Sequence, residues 1–412
     1  MNNMPKSIYI SGLQNYSCMM CGLCCRRFLV LLTPEERARI ATKDWSDLQD
    51  VPEDFAERIN GWLYFKRGPR GCVFVGEKGE CRMHARCGFD FKAFTCRGYP
   101  FNIVSTFPGE VSVLARMDCP AVLANHGKPI RQQRGDIEKL ISEMRFGSGF
   151  TELQLAGLER KAVEEIRDFA RKIIDDNESS VPLRLRMLML FAKRTEQLGA
   201  TFLNDNETMK EVYPTLLNTL RKEAADLPKW RISAPLRALF RQRLVAYARR
   251  DEEINHPTPM HRIRQAWNIA RLVMGYGNLH NLSNEHPDLP LRKLKLFSCV
   301  PLEFEDGAFD TFLRFLHVRL ECFQFFGVAY YGTDIYSGLR ALCLTFSIVL
   351  AFARLHAATR NAETISAEDM NYGVFAMDHC HGRQPFLRFK TARIRENRLA
   401  DSYSQLLYSL GC

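Results

Sequence analysis

The stretch Cys18-Met19-Met20-Cys21-Gly22-Leu23-Cys24-Cys25 places four thiols within eight residues. Its two-residue spacers are short enough to bring successive sulfur atoms to one metal centre, and Gly22 permits the tight backbone that such a loop needs. Thiolates are soft ligands that suit zinc, copper(I) and iron–sulfur clusters. This stretch is therefore taken as the element around which the N-terminal part of the chain is organised.

Other cysteines concentrate in the same part of the chain. Of the 14 cysteines, nine lie in the first 119 residues, where an even spread would put about four. The N-terminus lacks the apolar segment of an export signal, so we expect a reducing, cytoplasmic compartment. Clustered cysteines in such a compartment favour metal binding over disulfides. We predict that the first third of the chain is a cysteine-rich metal module.

Length and composition are those of a globular protein with two or three domains. The chain has 412 residues, 46% of them hydrophobic, and a formal net charge of +10. No basic run is long enough for a nucleic-acid-binding tail, so the charge is interpreted as a solvated basic surface and no nucleic-acid partner is expected. The longest uncharged apolar run, residues 341–353, is too short to span a membrane and is predicted to be a buried helix.

Local patterns predict a small α+β module over residues 1–125. Thr33, followed by Pro34 and two glutamates, is typical of a helix N-terminus, and that helix should run to about Thr42. We expect a second short helix at residues 53–60. Strands are expected at residues 27–32 and 71–75, and a hairpin is expected from residues 101–106 and 111–115.

Residues 126–412 show a helical pattern, in which apolar residues recur every three to four positions. Ser366 to Asp369 has the spacing of a capping box and opens a helix to about Cys380. The fold class is therefore mainly α, a small α+β cysteine-rich module followed by an α-helical domain. The predicted helices cover residues 136–146, 151–175, 183–198, 207–225, 235–250, 260–274, 307–326, 336–358 and 366–380.

More cysteines follow the first group in a defined order. They occur as Cys72 before a glycine-containing turn, Cys81-Arg82-Met83-His84, Cys96-Arg97-Gly98-Tyr99-Pro100-Phe101 and Cys119-Pro120. With the first group, this pattern over residues 18–120 resembles the bacterial proteins with a CxxCxxCC-type zinc- or iron-chelating domain. Within them the chain is most similar to the flagellin lysine-N-methylases. A weaker C-terminal similarity rests on Tyr331-Gly332-Thr333-Asp334, the apolar helix after it, and His379-Cys380-His381 followed by Pro385-Phe386.

The sequence departs from the domain pattern before the last cysteines. An Arg-Pro-x-x-Cys element is usual there, whereas this chain has Lys92-Ala93-Phe94-Thr95-Cys96. Additional residues surround Cys87, which we interpret as part of an insertion and not as a ligand. His84 is predicted to be packed or hydrogen-bonded rather than a ligand. The candidate metal ligands are Cys18, Cys21, Cys24, Cys25, Cys72, Cys81, Cys96 and Cys119.

Eight cysteines exceed the four ligands that a cubane iron–sulfur cluster or a structural zinc ion needs. Two readings stay open: two metal centres, or one centre with some structural cysteines. The side chains of adjacent Cys24 and Cys25 cannot easily both point at one metal atom. One of the two is therefore expected to point to the other side of the loop. The resemblance implies a [4Fe–4S] cluster, with zinc as the alternative. Scattered cysteines in the helical part are interpreted as buried small hydrophobes, namely Cys299, Cys322, Cys343 and Cys380.

The resemblance also implies an activity: S-adenosylmethionine-dependent N-methylation of lysine side chains on flagellin, in the cytoplasm, with the cluster structural or regulatory. The radical spacing Cys-x-x-x-Cys-x-x-Cys fails, because Phe28 stands where the third thiol would be. A deprotonated lysine amine is already a nucleophile, so in-line displacement on the sulfonium methyl suffices. The alternative is a non-catalytic metal-binding protein whose helical domain docks a protein partner. A third hypothesis, a nucleic-acid-associated iron–sulfur protein, rests on charge alone.

The methyl-donor site is not marked by a strand–glycine-rich loop–helix unit. Gly275-Tyr276-Gly277 follows a predicted helix, so we interpret it as a helix C-cap. Polar groups in the regions of weaker similarity are candidates for donor binding, namely Tyr330, Tyr331, Asp334, Asp378, His379 and His381. Of these, the candidate catalytic residues are Tyr331, Asp334, Asp378 and His379.

Overall fold

The computed structural model describes residues 4–227, 229–249 and 259–412. Short strands and helices fill the N-terminal part and long helices the rest, which confirms the predicted mainly α class. The strands are β1 (Ser7–Ile10), β2 (Asn15–Tyr16), β3 (Leu31–Leu32), β4 (Ala56–Ile59), β5 (Trp62–Phe65), β6 (Arg67–Gly68), β7 (Gly71–Cys72), β8 (Phe101–Ser105), β9 (Glu110–Ala115), β10 (Lys128–Pro129), β11 (Glu303–Phe304) and β12 (Thr364–Ile365).

The α-helices of the cysteine-rich part are short, and those that follow are longer. The helices of the first part are α1 (Leu23–Arg27), α2 (Pro34–Ala41), α3 (Arg82–Cys87), α4 (Phe94–Gly98) and α5 (Pro120–Leu123). Those of the second part are α6 (Arg134–Ser142), α7 (Glu152–Leu155), α8 (Arg160–Ile174), α9 (Val181–Leu203), α10 (Asn206–Asp226), α11 (Ala234–Ala248), α12 (Pro259–Met274), α13 (Asp310–Glu321), α14 (Ile335–Thr359), α15 (Ala367–Cys380), α16 (Lys390–Asp401) and α17 (Tyr403–Ser409).

The strands form small separate sheets. β8 and β9 are the predicted hairpin, with Ile103 opposite Val113, and β1 pairs in parallel with the other edge of β9. A second sheet has the order β3-β5-β4, and the other strands pair two by two. None of the sheets described has more than three strands, so helix packing supplies most of the core.

The predicted helix at residues 53–60 is wrong: this segment contains the strand β4, which pairs with β5. The two residues between these strands, Asn60 and Gly61, have φ of 50° and 83°. Such left-handed residues form the tight turn that suits the twist of a hairpin, and Asn-Gly is the sequence most typical of it. The predicted strand at residues 27–32 is reduced to β3, because Arg27 still belongs to α1. The strand predicted at residues 71–75 is likewise reduced to β7.

The helix predicted from Thr33 is confirmed. Thr33 accepts a hydrogen bond from the Glu36 amide at 3.2 Å, and the Glu36 carboxylate accepts one from the Thr33 amide at 2.9 Å. This reciprocal capping box satisfies two amides that the first helical turn leaves free. Ser366 and Asp369 cap α15 in the same way. Gly275, at φ 96°, ends α12 as a C-cap, as predicted.

α14 is the central helix of the structure and packs against α9, α15 and α16. By length and composition it could cross a membrane, yet 83% of its most apolar window is buried inside the protein. The run at residues 341–353 is therefore a core helix, as predicted. Of the scattered cysteines, Cys322, Cys343 and Cys380 are buried and Cys299 is half-buried.

Helix boundaries differ from prediction where backbone breaks were not foreseen. The helix predicted at residues 151–175 is split into α7 and α8 at Ala156-Gly157, both with positive φ. α9 extends past the predicted residue 198 but is interrupted at Gly199 (φ 76°, ψ 165°). α11 was predicted to end at Arg250, which lies outside the described residues. α13 is shorter than the predicted 307–326, and α16 and α17 were not predicted.

Apolar side chains form two main cores. A small core contains residues between Val30 and Ala93, from the cysteine-rich part. The large core joins the helices to the β1-β9-β8 sheet through residues such as Ile10 and Val113. The β1-β9-β8 sheet thus belongs to the large helical core, whereas the residues between Val30 and Ala93 form a separate small core.

Candidate metal centre

A cavity of about 400 Å³ lies in the cysteine-rich part of the protein. Its wall carries five thiols, contributed by four separate elements: α1, β7, the start of α3, and α4. They belong to Cys24, Cys25, Cys72, Cys81 and Cys96. The chain thus brings together cysteines that are up to 72 positions apart in sequence, all of them among the eight predicted ligands.

Two glycines let the backbones of these elements approach one another. Gly22 precedes α1 with φ 67°, and a Cβ there would clash with the backbone of Gly79, in the turn before Cys81. A Cβ on Gly71 would clash with the backbone carbonyl of Cys25. Only glycine fits either place, because both positions also have left-handed φ. The first cysteine group is thereby held against the strand and the turn that carry Cys72 and Cys81.

Charged side chains anchor α1. Arg67 donates to the carbonyl of Phe28 at 3.0 Å, and Arg26 donates to the carbonyl of Cys21 at 2.7 Å. Arg27 is buried, forms an ion pair with Glu285, and lies 4.4 Å from the ring centroid of Phe375 on α15. The helix that carries Cys24 and Cys25 is thus fixed on one side to the small sheets and on the other to the helical part.

The rest of the cavity wall is mainly apolar. It includes aromatic rings, methionines and leucine from several elements: Phe28, Phe65, Phe74, Phe94, Tyr99, Phe101, Met83, Met144 and Leu140. Two cations, Lys92 and Arg116, also line it. An apolar enclosure limits solvent access, and in metal sites this tunes the properties of the bound group.

Burial keeps most of these thiols protonated. It raises the pKa of Cys72 to about 12, and it raises the pKa values of Cys81 and Cys96. The pKa of Cys24 is lowered to about 7 by a hydrogen bond from Cys25, whose own pKa is raised by the same bond. A bound metal cation would supply the positive charge that thiolates in this enclosure require.

Lys92 provides one positive charge of its own. Lys92 is 9% exposed, and burial alone would lower its pKa. The negative charge that Cys96 and Cys81 carry when they are ionised outweighs burial and raises the pKa of Lys92. In return, Lys92 lowers the pKa values of Cys24, Cys81 and Cys96. The sequence showed Lys92 only as a departure from the family pattern, and the structure places it on the cavity.

The five thiols surround a space and do not converge on a point. Within the described parts of the chain, no three Cys, His, Asp or Glu side chains are grouped as ligands of a single ion. Cys24 and Cys25 both line the cavity, although one of them was expected on the other side of the loop. The donor set of thiols fits a soft metal.

The other three predicted ligands lie outside the cavity wall. Cys18 is exposed, Cys21 is half-buried, and Cys119 is buried at the start of α5. Cys18 and Cys119 both lie near Tyr16, whose pKa is raised by burial and by these two thiols. Cys24 of the cavity wall also acts on Tyr16, so Tyr16 lies between this wall and the two outer thiols.

Cys87 and His84 also lie away from the wall, on α3. Cys87 is half-buried and packs against the small core. The ring of His84 makes an edge contact with Phe89 at 5.9 Å, and burial lowers the pKa of His84. Both positions agree with the interpretation of these residues as non-ligands, which stays a prediction.

The catalytic candidates of the helical part are divided between two places. Asp378 accepts from the amide of Met117 at 2.7 Å and pairs with buried Arg319, and His379 donates through Nδ1 to Asp118 at 2.9 Å. These two candidates thus join α15 to the segment before Cys119. His381, which follows the last residue of α15, forms a hydrogen bond of 3.0 Å with the hydroxyl of Tyr247.

Asp334 lies at the second place, whereas Tyr331, three residues before it, does not line the cleft there. Asp334 caps α14 by accepting from the Ser337 amide at 2.8 Å, and it lines a larger cleft of about 840 Å³. Tyr331 precedes it, with a buried hydroxyl that has no hydrogen-bond partner. The neighbouring Tyr330 donates to Glu396, which also lines the cleft. The four candidates therefore do not form one constellation.

Comparison with known proteins finds a family match for the cysteine-rich part. Residues 17–119 match the family described as "CxxCxxCC: Putative zinc- or iron-chelating domain". The chain is 24% identical over 153 residues to Uncharacterized protein MJ0939 of Methanocaldococcus jannaschii. That alignment covers 37% of this chain and 51% of the relative, so the chain spans about half the length of the curated relative it matches. No solved structure matches the chain.

The family match covers about a quarter of the chain and includes all eight predicted ligands. It supports the predicted zinc- or iron-chelating module. The helical part, with both places that hold catalytic candidates, lies outside the matched residues.

Proposed function

We propose that the cavity lined by the five thiols holds an iron–sulfur cluster of the [4Fe–4S] type, with zinc as the alternative occupant. The observation that carries this proposal is the arrangement of Cys24, Cys25, Cys72, Cys81 and Cys96 around one apolar cavity. A cubane cluster takes one thiolate at each of four irons, so its ligands must be spread around a volume. A zinc ion needs four donors directed at one point.

The remaining thiols suit supporting roles or a second centre. Cys18 and Cys119 lie together near Tyr16, apart from the cavity wall. One of the five cavity thiols also exceeds the need of a cubane cluster. Adjacent Cys24 and Cys25 are the pair from which the spare thiol comes, because their side chains already hydrogen-bond to each other.

The activity proposed for the whole protein is S-adenosylmethionine-dependent N-methylation of lysine side chains on flagellin, in the cytoplasm. Its support is the order of motifs in residues 18–120 and the weaker similarity around Tyr331-Gly332-Thr333-Asp334. A large cleft beside Asp334 gives the helical part room for a substrate side chain or a methyl donor. The thiol-lined cavity is a separate place, so the cluster has a structural or regulatory role in this proposal.

The alternative is a metal-binding protein without catalysis, whose helical part docks a protein partner. It is favoured by the exposed apolar face of α12, on which Met260, Ile263 and Trp267 are each more than 60% exposed. The two functions differ in one product: only the first predicts methylated lysine on flagellin.

Two measurements test these proposals. Anaerobically purified protein should be brown and contain iron with acid-labile sulfide; a colourless protein with stoichiometric zinc would decide for the alternative metal. Mass spectrometry of flagellin co-expressed with this protein should show lysine methylation that is absent without it. Unmodified flagellin in both samples would leave the non-catalytic function as the better account.

A further inference from the structure

We propose that the cleft of about 840 Å³ in the helical part is a binding site for an aliphatic onium group, either a primary ammonium or a sulfonium. The cleft lies where α7, the interrupted end of α9, the start of α14 and α16 meet. It shares no lining residue with the thiol cavity. Two molecules could carry this group, a lysine side chain as the ammonium and S-adenosylmethionine as the sulfonium. Their naming rests on the proposed function.

Charge is the first argument. The protein has a net charge of +10, yet this cleft is lined by four carboxylates and only two guanidinium groups. Glu196 is paired with Arg340, and Glu396 with Arg243 and the Tyr330 hydroxyl.

Two carboxylates in the cleft have no ion-pair partner among the described residues. They are Glu152, which is exposed, and Asp334, whose two oxygens accept hydrogen bonds from the amide and the hydroxyl of Ser337. Arg393, the second guanidinium of the lining, donates to the carbonyl of Tyr331. That bond leaves the Arg393 charge in place, so the four carboxylates outnumber the positive groups Arg340, Arg393 and Arg243 by one. The cleft is therefore net negative, and a cation is the complementary ligand.

An unpartnered hydroxyl is the second, independent argument. Tyr336 lines the cleft and is 5% exposed, and its hydroxyl is buried without any hydrogen-bond partner. A buried polar group without a partner is destabilising, and a ligand that hydrogen-bonds to it would remove that cost. Burial, together with Asp334 and Glu196, raises the pKa of Tyr336 to about 12, so its hydroxyl stays neutral. It can then accept from an ammonium group, and its ring can face a sulfonium.

The backbone explains why space exists at this place. α7 ends at Ala156 and Gly157 in left-handed conformation, and α9 is interrupted at Gly199, with φ 76° and ψ 165°. A Cβ on Gly199 would meet no atom within 4 Å, so the break opens onto empty space. Two helix interruptions face the N-terminus of α14 here, and the acidic and aromatic side chains of that terminus form the floor.

The test compares charged ligands with neutral ligands that lack only the charged atom or its methyl group, by isothermal titration calorimetry on the full chain. One pair is N-acetyl-lysine methylamide and N-acetyl-norleucine methylamide, and the other is S-adenosylmethionine and S-adenosylhomocysteine. We expect the charged member of at least one pair to bind about tenfold tighter or more than its neutral partner, since one charge–charge contact that is partly shielded from water is worth about a factor of ten. Preference within the first pair assigns the site to an ammonium group, and within the second to a sulfonium.

Variants locate the site. Asp334→Asn should reduce the preference for the charged ligand about tenfold while keeping α14 capped, because asparagine caps a helix as well as aspartate does. Tyr336→Phe should reduce affinity severalfold. Asp310→Asn, in the exposed first turn of α13, is the matched control and should bind as the unchanged protein does.

The comparison within the unchanged protein needs no variant, so it stands even if one fails to fold. Equal affinity within both pairs, or no binding by any of the four ligands, overturns the proposal. A charge preference that survives Asp334→Asn and Tyr336→Phe in folded protein also overturns it, because the cation then binds elsewhere. Binding is measured without flagellin or turnover. A failure of the methylation proposal would therefore leave the binding result unaffected, and a failure to bind would leave the methylation test unaffected.

Discussion

The ring of Phe28 stacks on the imidazole of His379, with centroids 5.8 Å apart and planes inclined by 7°. Phe28 ends the helix that carries Cys24 and Cys25 and lines the thiol cavity, whereas His379 lies on α15. His379 also donates to Asp118, one residue before Cys119. The cysteine-rich part and the helical part therefore meet in a contact that touches the candidate metal centre directly.

Phe28→Leu should destabilise the protein by about 1–2 kcal/mol, because it removes this stacking and the contact with the Arg116 guanidinium, 5.6 Å from the Phe28 ring centroid. The measurement is the free energy of unfolding in denaturant. Phe389→Leu is the matched control, since that ring is 59% exposed and its replacement should change stability by less than about 0.5 kcal/mol. Equal effects of the two substitutions would show that the stacking contributes nothing.

Cysteine variants should separate ligands from non-ligands. Cys96→Ser is expected to lose metal and solubility together, because ligands from distant segments couple metal binding to folding. Cys21→Ser is expected to do the same if the predicted ligand set is right, although Cys21 lies outside the cavity wall. Cys87→Ser, away from the cavity, should keep most of its metal. Metal content and soluble yield, measured side by side, decide the matter, and equal damage from Cys87→Ser would refute our ligand assignment.

Lys92→Met should shift metal loading to higher pH. The ammonium group stabilises thiolates, and it lowers the pKa values of Cys24 and Cys96. Its removal raises those pKa values, so more protons compete with the metal at a given pH. The midpoint of zinc or iron uptake, titrated as a function of pH, should therefore rise. Lys78→Met, at an exposed position, should leave the midpoint unchanged; an identical midpoint in both variants would contradict the role given to Lys92.

Methyl transfer, if it occurs, should be a polar displacement. The lysine must first lose its proton, so activity should increase with pH through the range in which the bound amine deprotonates. The reaction should need no reductant and should yield one S-adenosylhomocysteine for each methyl transferred. Chromatography of the small-molecule products checks this. Stoichiometric 5′-deoxyadenosine, with a strict need for reductant, would show instead that the radical route operates.

Local signals in the sequence predicted local structure well. The capping residues Thr33 and Ser366 fix the starts of α2 and α15, because their hydrogen bonds involve only residues within one turn. The β8–β9 hairpin was likewise marked by β-branched residues in both strands and by Pro108-Gly109 between them. At β4 the local signal is Asn60-Gly61, which is typical of a hairpin turn and is incompatible with the helix predicted there.

Long-range features could not be read in the same way. The contact between His379 and Asp118 joins residues 261 positions apart, and no periodicity marks it. The place of Lys92 on the cavity depends on how α4, β7 and α3 pack around it. The sequence did identify the five thiols that the structure gathers, because metal-binding residue types in close spacing are visible without knowing the packing. It did not show which of the eight share one cavity.

The wall of the thiol cavity reaches from Cys24 to Met144, two residues after the end of α6. A ribosome that adds about 5–20 residues per second needs roughly 6–24 seconds to make the intervening segment. During that interval Cys24 and Cys25 lack the later residues that line the cavity with them. The early thiols of this site therefore have to stay reduced until residues as far as Met144 have been made.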